Sequence, residues 1–183
     1  MKKQIKVLLV EDNSDDVELI KILSSDIKNG TLVITNVERL VDGIELLSED
    51  IFDIVLLDLY LLDSSGLKTL VELNLKSEEI PIIVLTGHDD EKLASEAVQL
   101  GAQDYLVKGR VDGDLLWRSI NYAIDRKKLQ IQLEQAHQRE RQDKEIYSLK
   151  QISKSSQTEV TAKFFGITSI EKYSPSTYTE IIQ

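Results

Sequence analysis

The side chains best suited to chemistry are three carboxylates, one hydroxyl and one ammonium, each at the end of a short apolar segment: Glu11, Asp12, Asp58, Thr86 and Lys108. Carboxylates that lie close together repel each other, which raises at least one pKa unless a cation joins them. Mg²⁺ prefers oxygen ligands, commonly a few carboxylates together with waters and a phosphoryl oxygen. The residue types therefore predict a Mg²⁺ site that handles a phosphoryl group.

Within this set the acids would hold the ion. We expect Asp12 and Asp58 to be direct ligands, with the backbone carbonyl of Tyr60 as the third protein oxygen. Glu11 would hold a coordinated water. This division leaves Mg²⁺ the remaining positions that it usually fills with water and phosphoryl oxygens.

The other roles concern the phosphoryl group itself. Asp58 is the best nucleophile because it ends the predicted central strand and would face an open cleft. Thr86 and Lys108 would bind the remaining phosphoryl oxygens, Lys108 as a point charge.

The elements that must position these residues alternate between strand and helix patterns up to about residue 128. Strands are expected at 5–10, 32–37, 54–57, 81–85 and 104–107, and helices between them, the first from a cap at Asn13 to Gly30. This alternation favours right-handed crossovers and a parallel sheet covered on both faces. We predict an α/β fold with a doubly wound, five-stranded, flavodoxin-like sheet in the order 2-1-3-4-5, whose carboxyl ends carry the site.

Beyond residue 128 the pattern changes. Residues 112–150 contain no proline and no glycine after Gly113, so one long helix is predicted. Residues 129–152 would form a helical extension, either solvated or a short coiled coil. The Ser- and Thr-rich stretch 153–161 predicts a flexible joint, and 153–183 would be a tail or the start of a small helical module.

Composition narrows the functional classes. The net charge of −10 belongs entirely to residues 1–128, because 129–183 contain seven basic and seven acidic residues. Without a basic face, direct nucleic-acid binding is not expected. There is no cysteine for a disulfide or thiolate site, and every apolar run is too short for a membrane span, so a cytoplasmic location is expected.

Four segments resemble the signatures of receiver domains of bacterial two-component response regulators: VLLVED at 7–12, VLLDL at 55–59, VLTG at 84–87 and DYLVK at 104–108. Gly66 and Gly101-Ala102 also stand where the family has them. The resemblance covers roughly residues 4–128. Gly109 follows Lys108 where many members have proline, so the peptide bond between them is expected to be trans.

The resemblance implies a function. A sensor histidine kinase or phosphotransfer protein would pass a phosphoryl group to Asp58 and form an acyl phosphate. Thr86 would then move toward the phosphoryl group and Tyr105 would rotate inward. The face made by helix four, strand five and helix five would change and signal to a partner or second module, with homodimer formation on phosphorylation.

Other functions remain open at this stage. Phosphatase-like enzymes of the haloacid-dehalogenase type also use an aspartyl nucleophile and Mg²⁺, but they need a second aspartate two residues later, where this chain has Tyr60. A DNA-binding regulator would need a reader module in the last 55 residues. A degenerate receiver that acts only as a scaffold is disfavoured by the complete acid set. We expect no enzymatic activity beyond self-phosphorylation and slow dephosphorylation.

The rate of dephosphorylation can be predicted from two positions. In receivers, the residues two after the phosphorylated aspartate and two after the switch hydroxyl control water access, and here they are Tyr60 and His88. Both are bulky, so the acyl phosphate should persist for hours, and Tyr60→Ala or His88→Ala should shorten its life. Following decay of the acyl phosphate tests this, and a native lifetime of seconds would contradict it.

Overall fold

The computed structural model describes residues 3–49, 51–77, 79–87 and 91–164, with the side chains of 91 and 152–164 left out. Strands and helices alternate along the chain: β1 (Lys3–Val10), α1 (Ser14–Ser25), β2 (Gly30–Val37), α2 (Leu40–Glu49), β3 (Ile54–Asp58), α3 (Leu67–Asn74), β4 (Ile82–Thr86), α4 (Glu91–Gln99), β5 (Asp104–Val107) and α5 (Gly113–Phe164). The strands form one parallel sheet in the order β2-β1-β3-β4-β5. The predicted fold and strand order are confirmed.

The central strands β3 and β4 are apolar up to their last residue, as expected for strands that helices cover on both faces. Successive side chains of β1 point to opposite faces, so Val7 and Leu9 join one core cluster and Leu8 and Val10 join the other. Every residue of β3 and β4 is buried. This burial fixes the strand register, since a slip of one residue would exchange the two faces.

The helix ends follow simple capping chemistry, with one error in the sequence prediction. The Asn13 side chain accepts hydrogen bonds from Asp15 N and Asp16 N, as expected for the cap of α1. Helix α1 nevertheless ends at Ser25, and Gly30 is the first residue of β2 rather than the end of the helix. Gly30 is needed for packing, because a Cβ there would overlap the Trp117 ring of α5.

Helix α5 continues to Phe164 and includes 153–161, so the predicted flexible joint is wrong. Neither glycine nor proline interrupts that stretch, and each serine or threonine costs a helix only about half a kcal/mol relative to alanine. The chain divides into units of residues 1–132 and 133–183. In the second unit, every residue from 133 to 151 is exposed. The predicted tail after residue 164 lies outside the described residues.

None of the helices in the described ranges combines the length and apolar character that crossing a membrane requires.

The loop between β3 and α3 is closed by hydrogen bonds. Leu61 N donates to Ser64 O at 2.8 Å, and Gly66 N donates to Leu59 O at 2.7 Å. Gly66 has a φ of 69°, which favours glycine at this turn. These hydrogen bonds and the glycine turn fix the conformation of the loop that follows Asp58.

Asp63 ties this loop to α2. Its carboxylate accepts hydrogen bonds from Leu40 N at 2.9 Å and Val41 N at 3.1 Å, and Arg39 Nε lies 3.9 Å away. Partial burial would raise the pKa of Asp63, but the two backbone donors and Arg39 outweigh it and hold the pKa below its usual value. Asp63 thus caps a helix that is distant in sequence.

Replacing Asp63 with alanine should destabilise the protein through loss of this cap. We expect Asp63→Ala to lose about 1 kcal/mol of unfolding free energy at pH 7, the usual cost of a lost N-cap. Because the folded-state pKa is lowered, this stabilisation is present above the unfolded-state pKa and is lost as the pH falls through the folded-state pKa. Urea unfolding at pH 7 and at about pH 3 should therefore show a smaller difference at the lower pH. Glu38→Ala, an exposed neighbour, serves as control; equal effects of the two variants would contradict the capping role.

Candidate functional site

The ammonium of Lys108 lies among three carboxylates at the carboxyl edge of the sheet. Lys108 Nζ is 2.6 Å from Glu11 Oε2, 2.7 Å from Asp58 Oδ2 and 2.7 Å from Asp16 Oδ2. The lysine side chain is only 6% exposed. The ammonium donates hydrogen bonds to Asp58 and Asp16 and forms an ion pair with Glu11.

The sheet and α1 bring these groups together. Glu11 follows β1, Asp58 is the last residue of β3, and Lys108 follows β5. The ladders pair Asp58 with Leu85 and Thr86 with Val107, so Thr86 on β4 lies between the strands that carry the acid and the lysine. Asp16 comes instead from the first turn of α1.

The electrostatics follow from burial and crowding. Burial raises the pKa of Glu11 to about 7, with help from the Asp58 charge and against the lowering effect of the Lys108 ammonium. Burial alone would lower the pKa of Lys108, but its bonds to Asp16, Asp58 and Glu11 outweigh it and raise that pKa well above the usual range. Lys108 is therefore charged at all physiological pH values.

A cavity of about 510 Å³ opens beside this cluster. It is lined by Asp16, Asp58, Tyr60, Thr86, Gly87, Leu93 and Lys108. Each oxygen of Asp58 has a donor, because Oδ1 accepts from Tyr60 N at 2.9 Å and Oδ2 accepts from Lys108. The carboxylate is thus held in a fixed orientation at the cavity wall.

The structure distributes the predicted site residues unevenly. Lys108 is in direct contact with Glu11 and Asp58, and Thr86 and Tyr60 line the cavity. The peptide bond between Lys108 and Gly109 is trans, as expected. His88 lies outside the described residues.

Two further positions stand apart from this cluster. Asp12 is half-buried, and among the described residues its carboxylate is not part of the close acidic group. Tyr105 is half-buried on β5 and lines a second cavity, of about 350 Å³, together with residues such as Arg110 and Ser119.

Asp16 is the site residue that sequence reasoning missed. It lies in the first turn of α1, where the helix dipole favours a carboxylate, so its position in the sequence is explained without a role in the site. A position five residues after Glu11 carries no periodic signal, since the contact depends on how α1 packs across the sheet edge.

The donor set fits a hard divalent cation. Carboxylate oxygens of Glu11, Asp16 and Asp58 all lie within 4.8 Å of one another. Glu11 Oε2 is buried without a well-formed hydrogen bond and depends on the nearby ammonium for compensation. Because Lys108 occupies the centre of this group, a divalent ion would use carboxylate oxygens that the ammonium does not engage.

Comparison with known proteins decides the family. The family model for the response regulator receiver domain matches residues 7–120. The chain belongs to this family. Receiver domains are signalling domains of two-component systems; they interact with histidine kinases or phosphotransfer proteins and generally bind Mg²⁺.

Relatives and solved structures agree. The "Probable C4-dicarboxylate response regulator DctR" of Bacillus subtilis (strain 168) is 35% identical over 109 residues, which is 58% of this chain and 47% of that protein. The "Transcriptional regulatory protein YdfI" of the same strain is 31% identical over 176 residues, 88% of this chain and 81% of that protein. A receiver domain structure from Clostridium thermocellum superposes with a TM-score of 0.58 at 31% identity, covering 68% of this chain and 98% of that one.

These findings also bear on the alternatives. A phosphatase-like enzyme is not favoured, since the matches are response regulators and receiver domains. The expected absence of nucleic-acid binding is not supported, because relatives are named as transcriptional regulators. The match spans 47% of DctR and 27% of the ZraR protein of Klebsiella oxytoca, less than two thirds of the length of either relative.

Removing the Lys108 charge should destabilise this receiver because three carboxylates would lose their shared cation. We expect Lys108→Met to lose roughly 3 kcal/mol of unfolding free energy, the lower end of the range for a broken buried ion pair. Mg²⁺ should raise the melting temperature of this variant more than that of the native protein, since it would relieve the repulsion. Thermal unfolding with and without Mg²⁺ measures both effects.

The control is Lys68→Met, which removes an exposed pair with Glu72 at 3.3 Å. An exposed pair of this kind is worth at most about 1 kcal/mol. Similar losses of unfolding free energy for Lys68→Met and Lys108→Met would show that the buried cluster stabilises the protein no more than an exposed ion pair does.

Proposed function

We propose that this receiver accepts a phosphoryl group on Asp58 from the phosphohistidine of a cytoplasmic sensor histidine kinase or phosphotransfer protein. The observation that carries the proposal is the setting of the Asp58 carboxylate. It ends the central strand β3, lies at the wall of the cavity, and has its two oxygens oriented by Tyr60 N and Lys108 Nζ. A nucleophile held in a near-attack orientation needs little reorganisation before it reacts.

The transfer involves one bond broken and one bond formed. An Asp58 oxygen forms a P–O bond as the P–N bond of the phosphohistidine breaks. The leaving imidazole keeps the electron pair of that bond and takes up one proton. Negative charge builds on the phosphoryl oxygens during transfer, so catalysis depends on cations and donors placed around them.

The chain offers such groups. Lys108 would supply a positive charge to one phosphoryl oxygen and the Thr86 hydroxyl would donate to another; Thr86 is buried at the end of β4 and lines the same cavity. Asp12, Asp58 and the Tyr60 carbonyl would hold Mg²⁺ directly, and Glu11 through a water. When bound, the ion would neutralise charge on the acids and the phosphoryl group.

The signal would pass through Thr86 and Tyr105. A shift of Thr86 toward the phosphoryl group would vacate space along β4, and the half-buried Tyr105 on the adjacent β5 would turn inward. The face of α4, β5 and α5 would then differ between the two states and favour a homodimer or another partner. Tyr60 and His88 would limit water access and make dephosphorylation slow, with no other enzymatic activity.

Control of transcription is a second candidate for the output, supported by one observation. The similarity to YdfI covers 88% of this chain, so it extends past the receiver into the long helix. We divide the chain into a receiver at 1–128, a helical extension at 129–152 and a following module or tail at 153–183. A DNA-reading module of a longer protein could follow such a helix.

Treating the protein with a small phosphodonor such as acetyl phosphate and Mg²⁺ tests the proposal. We expect mass spectrometry to show one added phosphoryl group on the native chain and none on Asp58→Asn, because an amide is not a nucleophile at this position. Light scattering should then show the native protein, but not the variant, increasing in size.

Asp42→Asn, in the first turn of α2, is the matched control and should be modified like the native protein. Modification of Asp58→Asn to the native extent would contradict the assignment of Asp58. If the native protein is modified but does not increase in size, the proposed homodimer is contradicted, whereas the assignment of Asp58 as phosphoryl acceptor stands.

A further inference from the structure

Asp16 is hydrogen-bonded to Lys108, although it is neither the expected acceptor nor one of the Mg²⁺ ligands expected from the sequence; its carboxylate lies within 4.8 Å of those of Glu11 and Asp58. Its Oδ2 accepts a hydrogen bond from Lys108 Nζ at 2.7 Å, as short as the bond from the same nitrogen to Asp58. We propose that Asp16 is a latch that holds Lys108 in the unphosphorylated arrangement and must release it when Asp58 receives a phosphoryl group. This inference rests on the proposed function of Asp58.

The latch follows from competition for one ammonium. Lys108 donates hydrogen bonds to Asp16 and Asp58, and Glu11 Oε2 lies 2.6 Å away as an ion pair without a well-formed hydrogen bond. A phosphoryl oxygen on Asp58 needs the same positive charge. It therefore competes for Lys108 with the carboxylates that already surround it.

Exposure decides which partner leaves. The Glu11 side chain is fully buried, so a carboxylate left there without its cation would have no water to compensate. Asp58 carries the phosphoryl group and stays next to the lysine. The Asp16 side chain is 31% exposed and lines the cavity, so water can solvate it after release. Asp16 is the partner that can be released at least cost.

Asp16 also opposes phosphorylation directly. Its carboxylate lines the same cavity as Asp58 and Thr86, which is the space that the incoming group must enter. The Asp16 carboxylate and the incoming phosphoryl group are both anions, and they compete for the Lys108 ammonium. Removing the Asp16 charge should therefore favour the phosphorylated state, whereas loss of an ordinary supporting contact would disfavour it.

The position of Asp16 connects this exchange to α1. Asp16 N donates to the Asn13 side chain, which caps the helix. The carboxylate whose hydrogen bond to Lys108 would break therefore belongs to the first turn of α1. Release frees that turn from a contact reaching across the sheet edge to the residue after β5.

The test compares Asp16→Asn with Asp15→Asn. Asp15 lies in the same helical turn and is also acidic, but it is exposed and its carboxylate is not a partner of Lys108. Both variants lose one acid from the helix N-terminus, so effects of the helix dipole cancel. Beryllofluoride, which mimics a phosphoryl group on a carboxylate, is titrated calorimetrically into each protein with saturating Mg²⁺.

We expect Asp16→Asn to bind beryllofluoride about tenfold more tightly than the native protein, since a charge-assisted bond no longer competes. Asp15→Asn should stay within about twofold of the native value. Asp16→Ala, which removes the acceptor altogether, should change affinity in the same direction as Asp16→Asn. The concentration of acetyl phosphate that half-saturates Asp58 should fall in parallel.

Three results would overturn the latch. If the native protein binds beryllofluoride but Asp16→Asn binds it equally or more weakly, the latch is contradicted and the function proposed for Asp58 stands. A large loss of Mg²⁺ affinity in Asp16→Asn, titrated without beryllofluoride, would make Asp16 a ligand of the ion instead. If the native protein neither binds beryllofluoride nor accepts a phosphoryl group, the function proposed for Asp58 fails together with the latch.

Discussion

The site depends on one buried ammonium that several carboxylates share. With Glu11, Asp16 and Asp58 ionised, Lys108 cancels only one of three negative charges. The pKa of Glu11 is raised mainly by burial and further by the Asp58 charge. A hydrophobic replacement of such a cluster is often more stable than the cluster itself. Stability alone therefore does not account for the arrangement, which leaves two of the three negative charges without a cation.

The rest of the fold makes this cluster rigid. The buried strands β3 and β4 fix the register of Asp58 and Thr86, and apolar packing on both faces prevents a slip. The loop after Asp58 is closed on itself and tied to α2 through Asp63. The open space beside Asp58 is the cavity, whose lining also includes Asp16, Thr86 and Lys108.

Much of this could be predicted from sequence because strand ends carry a strong signal. Continuous apolar runs located β1, β3, β4 and β5, and the topology of a parallel sheet then brought Glu11, Asp58, Thr86 and Lys108 to one edge. Asp16 could not be found this way, since its role arises from packing between distant elements. The same limit applies to Gly30, which was interpreted as a helix end but is required under the Trp117 ring. Local composition also failed at 153–161, where a helix already formed continues through serines and threonines.

The contact between Gly30 and Trp117 has a spectroscopic consequence. Trp117 is the single tryptophan of the chain, and Gly30 is the first residue of β2, at the end of the sheet opposite to the carboxyl edge that holds Asp58. The tryptophan emission of the protein therefore comes from the Trp117 ring, which packs against Gly30 at the end of the sheet opposite to Asp58. The emission of Trp117 can therefore report global unfolding of the receiver, with little direct quenching by an ion or phosphoryl group bound beside Asp58.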